Sequence, residues 1–307
     1  MGLITKLWEQ VSNNTKGGKN MAVDLHVHTA ASGDGEFSSW AIVKIASEAK
    51  LQAIAITDHD TIDSVDEAVK WGGEYNVEVI PGCEFSSIYE NKWLHILGYY
   101  IDYHKTELIQ LCEKVKKARE NNVDAQIDKL HQTGFFLEKE KVMEDSSDPL
   151  PISFGRAIFT DSRNNGNQML EEYRGKANGI LDFCQDWMIY GRPYNAVQYF
   201  PNAKEVIELI LQCGGVPILA HPGASLREEE NGLIVELLKF GLAGIEVSTS
   251  WHNEKQEKYY QKFAQDEKII ITAGSDFHGK MKPQILLGQI KNNPYTIVEQ
   301  LKSRVRL

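Results

Sequence analysis

Seven short apolar runs, at residues 22–28, 52–57, 77–82, 93–98, 216–220, 243–248 and 269–275, recur along this chain and restrict it to few folds. Runs of this length bounded by polar sequence read as buried strands rather than buried helices. Between them, segments near 38–50, 63–73, 203–213, 231–240 and 253–265 carry apolar residues at three- and four-residue steps, the pattern of helices with one buried face. Strands alternating with amphipathic helices form βα units, and seven strands in this order predict an α/β chain closed into a barrel.

Residues 105–200 interrupt the rhythm. A long charged helical stretch from about 105 to 133 gives way to EDSSDPLP and then to the Asn/Gly-rich RNNGN. This is expected to be an inserted, mainly helical subdomain. It would act as a lid or substrate-selecting element, since barrel function collects on strand-to-helix connections. The expected organisation is an extension over 1–20, a metal-binding barrel over 21–104 and 201–307, and the insertion over 105–200. In the extension, Leu3, Ile4, Leu7, Trp8 and Val11 fall on one face of a short helix. That helix either docks on its own domain or offers a partner or membrane contact.

Composition narrows the function. The formal net charge of −10 argues against a duplex nucleic-acid binder, which normally presents a basic face. A small anionic substrate remains compatible, because bound divalent cations reverse the local field. No stretch approaches the ~20 apolar residues of a membrane span. Cys83, Cys112, Cys184 and Cys213 stand far apart with no CxxC pair, as expected of a cytoplasmic protein with reduced thiols.

The histidines and acids fall at strand ends. DLHVHT places His26 and His28 two residues apart, on one face of a strand, where both can grip one ion. AIAITDHD closes its strand with Asp58, His59 and Asp60, and VEVIPGCEFS reaches Glu84. WLHILGY sets His95 inside an apolar run, VPILAHPG closes with His221, and IIITAGSDFHG closes with Asp276 and His278. Six of the nine histidines lie at these places, and parallel strands would bring the ends to one face of the barrel. A lone buried histidine is usually a hydrogen-bonded core residue; six coincident strand ends point instead to metal. Mixed imidazole and carboxylate donors suit Mn²⁺, Zn²⁺ or Fe²⁺ better than Ca²⁺ or Mg²⁺. Asp24, Asp58 and Asp60 are expected to orient the histidines, and His104 and His131, in polar helical sequence, to be solvated.

These runs, in this order, resemble the polymerase and histidinol phosphatase (PHP) domain over residues 22–102 and 203–280. The resemblance implies a distorted seven-stranded (β/α) TIM-like barrel holding two or three divalent ions, with Mn²⁺ the first expectation. It implies that His26, His28, Glu84 and Asp276 hold one ion, with Glu84 bridging to a second at His95 and His221. A third would lie at His59, His278 and Asp34, the last from TAASGDGEF, where relatives commonly read SDG without the extra glycine. The layout is most similar to the subgroup that removes phosphate from small nucleotides such as nucleoside 3′,5′-bisphosphates.

In the insertion, PISFGRAI resembles that subgroup's arginine motif at Phe154, Arg156 and Ala157 but lacks its first arginine and its histidine. Arg156 is therefore the expected phosphate-binding residue, with Arg192 of GRPY as a second choice. His252, in STSWHNE, either contacts substrate or serves as a polar helix-start group. The expected activity is hydrolysis of a small-nucleotide phosphomonoester by metal-activated hydroxide, with Asp276, His221 and Arg156 in the catalytic roles. The alternatives are a histidinol-phosphate phosphatase, a 5′-end RNA exonuclease, an amidohydrolase or a non-catalytic metal-binding module.

Overall fold

A computed structural model describes residues 23–144, 148–196 and 198–305. The apolar face expected over residues 1–20 lies outside the described residues.

All seven runs form strands, and they pair in chain order: β1 (Val23–Val27), β2 (Ala53–Ile56), β3 (Glu78–Tyr89), β4 (Lys92–Tyr99), β5 (Val216–Leu219), β6 (Gly244–Thr249) and β7 (Ile270–Gly274). The sheet closes where His28 N donates to Phe277 O at 3.0 Å and Phe277 N donates to His26 O at 3.3 Å. The result is a mostly closed, distorted barrel flanked by helices.

One expectation is corrected. The strands are not all parallel, because β4 runs against both β3 and β5. No helix separates β3 from β4, so the chain turns back at once through Glu90 and Asn91, both at positive φ. His95 therefore reaches the site from inside β4, opposite Ser86 of β3, and not from a strand's C-terminal end.

Alternation along the strands sorts the core. Ala53 and Ala55 join Val23, Leu25 and Tyr99 inside the barrel, whereas Ile54 and Ile56 pack outward on α1 (Ser39–Glu48) and α2 (Val65–Tyr75). The insertion supplies α3 (Thr106–Gln132), α4 (Lys139–Val142), α5 (Pro151–Thr160), α6 (Gln168–Glu171) and α7 (Gly179–Trp187). Phe135, Phe154, Ile158 and Phe183 give it an apolar cluster of its own. The second half of the barrel carries α8 (Ala203–Gln212), the single turn α9 (Pro222–Ser225), α10 (Gly232–Lys239), α11 (Glu254–Glu267) and α12 (Thr296–Lys302). Asn202 and Asn253 start α8 and α11 with capping boxes closed by Glu205 and Gln256.

A buried arginine ties the insertion to the barrel. Arg119, midway along α3, donates from Nη1 to Asp60 Oδ2 at 2.6 Å and from Nε and Nη2 to Asp148 at 2.7 and 2.6 Å. Asp60 also accepts Ser86 N at 2.8 Å, so one carboxylate joins the β2 end, β3 and α3. Removing one member of a buried pair strands the other charge, so Arg119→Ala is expected to cost about 3–5 kcal/mol. Chemical denaturation checks this; a loss below about 1 kcal/mol would class the pair with exposed salt bridges.

Candidate metal centre

Glu84 is fully buried at the middle of the cluster, and its two oxygens face different groups. Oε2 lies 3.1 Å from His26 Nε2, 3.2 Å from His28 Nε2 and 3.1 Å from His59 Nδ1. Oε1 lies 2.8 Å from His95 Nδ1 and 3.0 Å from His221 Nε2. The barrel dictates this placement. Glu84 exchanges backbone hydrogen bonds with the β2 end, Glu84 N to Asp58 O and Asp60 N to Glu84 O, which sets His59 alongside it. Ser86, two residues on and on the same face, aligns His95 across the hairpin.

Asp276 faces two of the same imidazoles, with Oδ1 3.4 Å from His26 Nε2 and 3.1 Å from His28 Nε2. Asp34 Oδ2 lies 3.1 Å from His278 Nε2 and 3.6 Å from His59 Nε2. Three overlapping groups result: His26, His28, Glu84 and Asp276; His59, Glu84 and His95; and His28, Asp34, His59 and His278. All nine residues expected to ligate meet in one place. His28 joins the group built on Asp34, and His221 adjoins Glu84 without belonging to one of the three groups.

Donor chemistry tests whether cations fit. His26 Nε2, His28 Nε2, His59 Nδ1, Glu84 Oε2, Asp34 Oδ1 and Asp276 Oδ1 are buried and make no hydrogen bond, although nitrogens and oxygens approach to about 3 Å. Such close approach without hydrogen-bond geometry means that the lone pairs converge on shared points instead of on one another. Buried polar atoms left this way are costly unless an ion completes them. Protonation equilibria agree. Burial opposes charge on Glu84, yet His26, His59 and His95 hold its carboxyl well below the usual range. Asp276 is likewise kept low, against burial, by the Lys282 ammonium and His26. Burial would lower His28, but Asp276 and Glu84 push it up to about 9, whereas burial keeps His59 and His278 below the ordinary imidazole value. Ionised carboxylates packed among imidazoles in a water-poor pocket are a ligand set for two to three divalent cations.

Several of the candidate ligands are steadied by a neighbour. Glu246 Oε1 lies 3.1 Å from His26 Nδ1 and its Oε2 accepts His221 N at 3.0 Å, so one carboxylate turns the His26 ring and anchors the His221 backbone. Ser32 Oγ lies 3.2 Å from His28 Nδ1, and Asp276 O 2.9 Å from His278 Nδ1. The three aspartates expected to orient imidazoles instead hold main chain. Asp24 binds Ser275 N and Oγ and Gly288 N; Asp58 binds Thr29 N and Oγ1; Asp60 binds Ser86 N. Gly274 is required where β7 passes this layer, since a Cβ there would fall 2.3 Å from His26 Cβ. His221 and Asp276 both sit at positive φ, the local strain of a chain turned sharply at a strand end.

An open cavity of ≈ 120 Å³ above the cluster is walled by Trp93, Ile152, Leu181, Ile189 and Trp251. Arg156, one turn beyond Ile152 on α5, lines a neighbouring groove and approaches Met281 Sδ at 3.7 Å. Arg192 is exposed on the loop after α7. His252 has both ring nitrogens engaged: Nδ1 on Val247 O at 2.8 Å and Nε2 accepting Gly223 N at 2.9 Å. It thus fastens α9 to β6, a third role beyond the two expected. His104 and His131 are at the surface as expected. Glu246, Trp251 and Lys282 join the site with one local signal among them, an acid inside the apolar run GIEVS.

Glu246→Ala should leave the fold intact and weaken metal affinity about 10- to 100-fold, the usual effect of removing a group that orients a ligating imidazole. Metal titration against the parent protein checks this, and equal affinities would refute the role.

Residues 24–213 match the PHP domain family. Among curated relatives, the chain is 26% identical over 278 residues to the phosphoribosyl 1,2-cyclic phosphate 1,2-diphosphodiesterase of Eggerthella lenta, covering 85% of this chain and 95% of that one. It is 27% identical over 263 residues to the 5′-3′ exoribonuclease of Haemophilus influenzae, covering 83% and 89%. The 3′,5′-nucleoside bisphosphate phosphatase of Chromobacterium violaceum is 23% identical over 268 residues, covering 83% and 87%. A solved structure from Chromobacterium violaceum, described as an amidohydrolase with bound sulfate, superposes with a TM-score of 0.77 at 20% identity over 92% of this chain and 97% of that one.

Proposed function

The chain belongs to the PHP domain family, and from that premise we propose that it is a metal-dependent phosphoesterase acting on a phosphomonoester of a small nucleotide, such as a nucleoside 3′,5′-bisphosphate. The observation that carries this reading is the convergence of unpartnered imidazole and carboxylate atoms around Glu84. His26, His28, Glu84 and Asp276 would hold one ion; Glu84, His95 and His221 a second; Asp34, His59 and His278 a third. Mn²⁺ is the first candidate, with Zn²⁺ and Fe²⁺ beside it. When bound, such ions lower the pKa of a water towards ~7 and neutralise phosphate oxygens.

The chain's own residues do the rest. Glu84 joins the groups through its two oxygens, and Glu246 fixes the ring of His26 so that Nε2 faces the cluster. Trp93, Leu181, Ile189 and Trp251 surround the cavity with apolar surface, which limits water and strengthens electrostatic interactions inside.

Support for a nucleotide comes from the walls. A second cavity shares Ser86, Trp93, Leu150 and Ile189 with the first and adds Phe154, Tyr190 and Phe200, with the amides of Asn122 and Gln198. Aromatic faces beside amide groups suit a nucleobase placed next to its phosphate. The three curated relatives named above are, by name, a phosphoribosyl cyclic phosphate diphosphodiesterase, an exoribonuclease and a nucleoside bisphosphate phosphatase, and the insertion that builds much of these walls is the proposed substrate-selecting lid. Among the described residues no helix is long and apolar enough to cross a membrane, and the four cysteines are free and buried; a cytoplasmic location is proposed on that basis.

The test is phosphate release by Mn²⁺-, Zn²⁺- and Fe²⁺-loaded protein from nucleoside 3′,5′-bisphosphates, nucleoside monophosphates, histidinol phosphate and 5′-phosphorylated short RNA. Release from a bisphosphate, abolished together with metal content in His26→Ala, is the expected result. Cleavage of RNA alone would assign the exonuclease reading. Metal-loaded protein inert towards every ester would overturn the phosphoesterase reading and turn attention to amides or to a regulatory role.

A further inference from the structure

Among the described residues lining the cavity above the cluster, Lys282 is the single lysine or arginine. It follows the turn Gly279–Met281 after β7, where Lys282 N donates to Gly279 O at 3.0 Å, and its side chain is buried. Nζ donates to Asp276 Oδ2 and lies 4.5 Å from the centre of the Trp251 ring, while Trp251 Nε1 donates to the same oxygen at 2.5 Å.

Asp276 is therefore divided between two tasks. Oδ1 faces His26 and His28, on the side where cations fit, and Oδ2 is taken by Lys282 and Trp251. An ammonium carries three N–H donors, and this one has a single hydrogen-bond acceptor among the described residues. Asp276 already balances the ammonium, and its two remaining donors are left for a partner in the cavity it lines, where a phosphate oxygen would accept from a held cation. Ring and carboxylate hold the amine in place, which removes much of the rotamer freedom a lysine normally loses on binding. Arg156, by contrast, lines the groove beyond Ile152.

We infer that Lys282 binds the phosphate group of the substrate, supplying the protein cation that the insertion's arginine was expected to supply. This rests on the phosphoesterase reading for its substrate, but its test does not require turnover. Its Nζ would donate to a non-bridging phosphate oxygen while Asp276 Oδ2 keeps it aimed, and Trp251 would close that side of the site. Charge-assisted contacts of this kind are about twice as strong as neutral ones and are worth most where water is excluded.

The experiment compares metal-loaded full-length protein with Lys282→Met, Lys282→Arg and Arg156→Met, measuring bound metal, the dissociation constant of inorganic phosphate by calorimetry, and KM and kcat. Lys282→Met is expected to retain its metal and bind phosphate at least about tenfold more weakly, with KM raised; Lys282→Arg should recover part of the loss. Should Lys282→Met fail to fold, Lys282→Gln, which keeps a donor for Asp276, carries the same comparison. Unchanged phosphate binding in a folded Lys282 variant, loss that follows Arg156→Met instead, or loss of metal with the lysine would each overturn the inference. Phosphate binding that depends on Lys282 in a protein inert towards every ester would sustain this assignment while the phosphoesterase reading fails.

Discussion

A carboxylate with no exposure, set among five imidazoles, has to be balanced by positive charge, and Glu84 imposes that condition on everything around it. Protons on imidazoles meet it in part, as the upward push on His28 shows, while burial works against charging His59 and His278. Divalent cations meet it fully, because one ion satisfies several lone pairs that cannot hydrogen-bond to one another. The rest of the cluster is arranged to keep those lone pairs aimed.

The reversal of β4 is part of the same arrangement. In a barrel of parallel strands, the ends lie on one rim and each ligand reaches inward from its own loop. Here β3 runs on past its neighbours to Tyr89 and folds back as β4, bringing His95 against Glu84 from within the sheet. Rigid strands place ligands more closely than loops do, and a hairpin lends two strands to one ion site. The distortion thus raises the number of donors one carboxylate can meet.

Support for the site extends well beyond the ligands. Asp24, Asp58 and Asp60 bind main-chain N–H groups around the cluster, and through Arg119 the last of these reaches the insertion. The His59 turn, the β3 ladder and α3 are thereby coupled through one buried ion pair. The insertion is joined to the metal layer by this ion pair and to the barrel by Leu108 and Cys112 of α3, and it carries an apolar cluster of its own farther along.

The sequence by itself determined the strands, and with the family resemblance it pointed to the nine side chains that gather around the cluster. A strand needs only a short apolar run, and a histidine or acid within or just beyond such a run is visible in the sequence. The direction of β4 was not legible, since an apolar run has the same composition whichever way it lies; its neighbours and the absence of an intervening helix decided it. Nor were Glu246, Trp251 and Lys282, whose roles depend on partners 220, 25 and 6 residues away. For Arg156, which lines a groove sharing Ile152 and Leu181 with the cavity over the cluster, the motif fixes a place on a helix, but only tertiary packing decides which cavity that face of the helix meets.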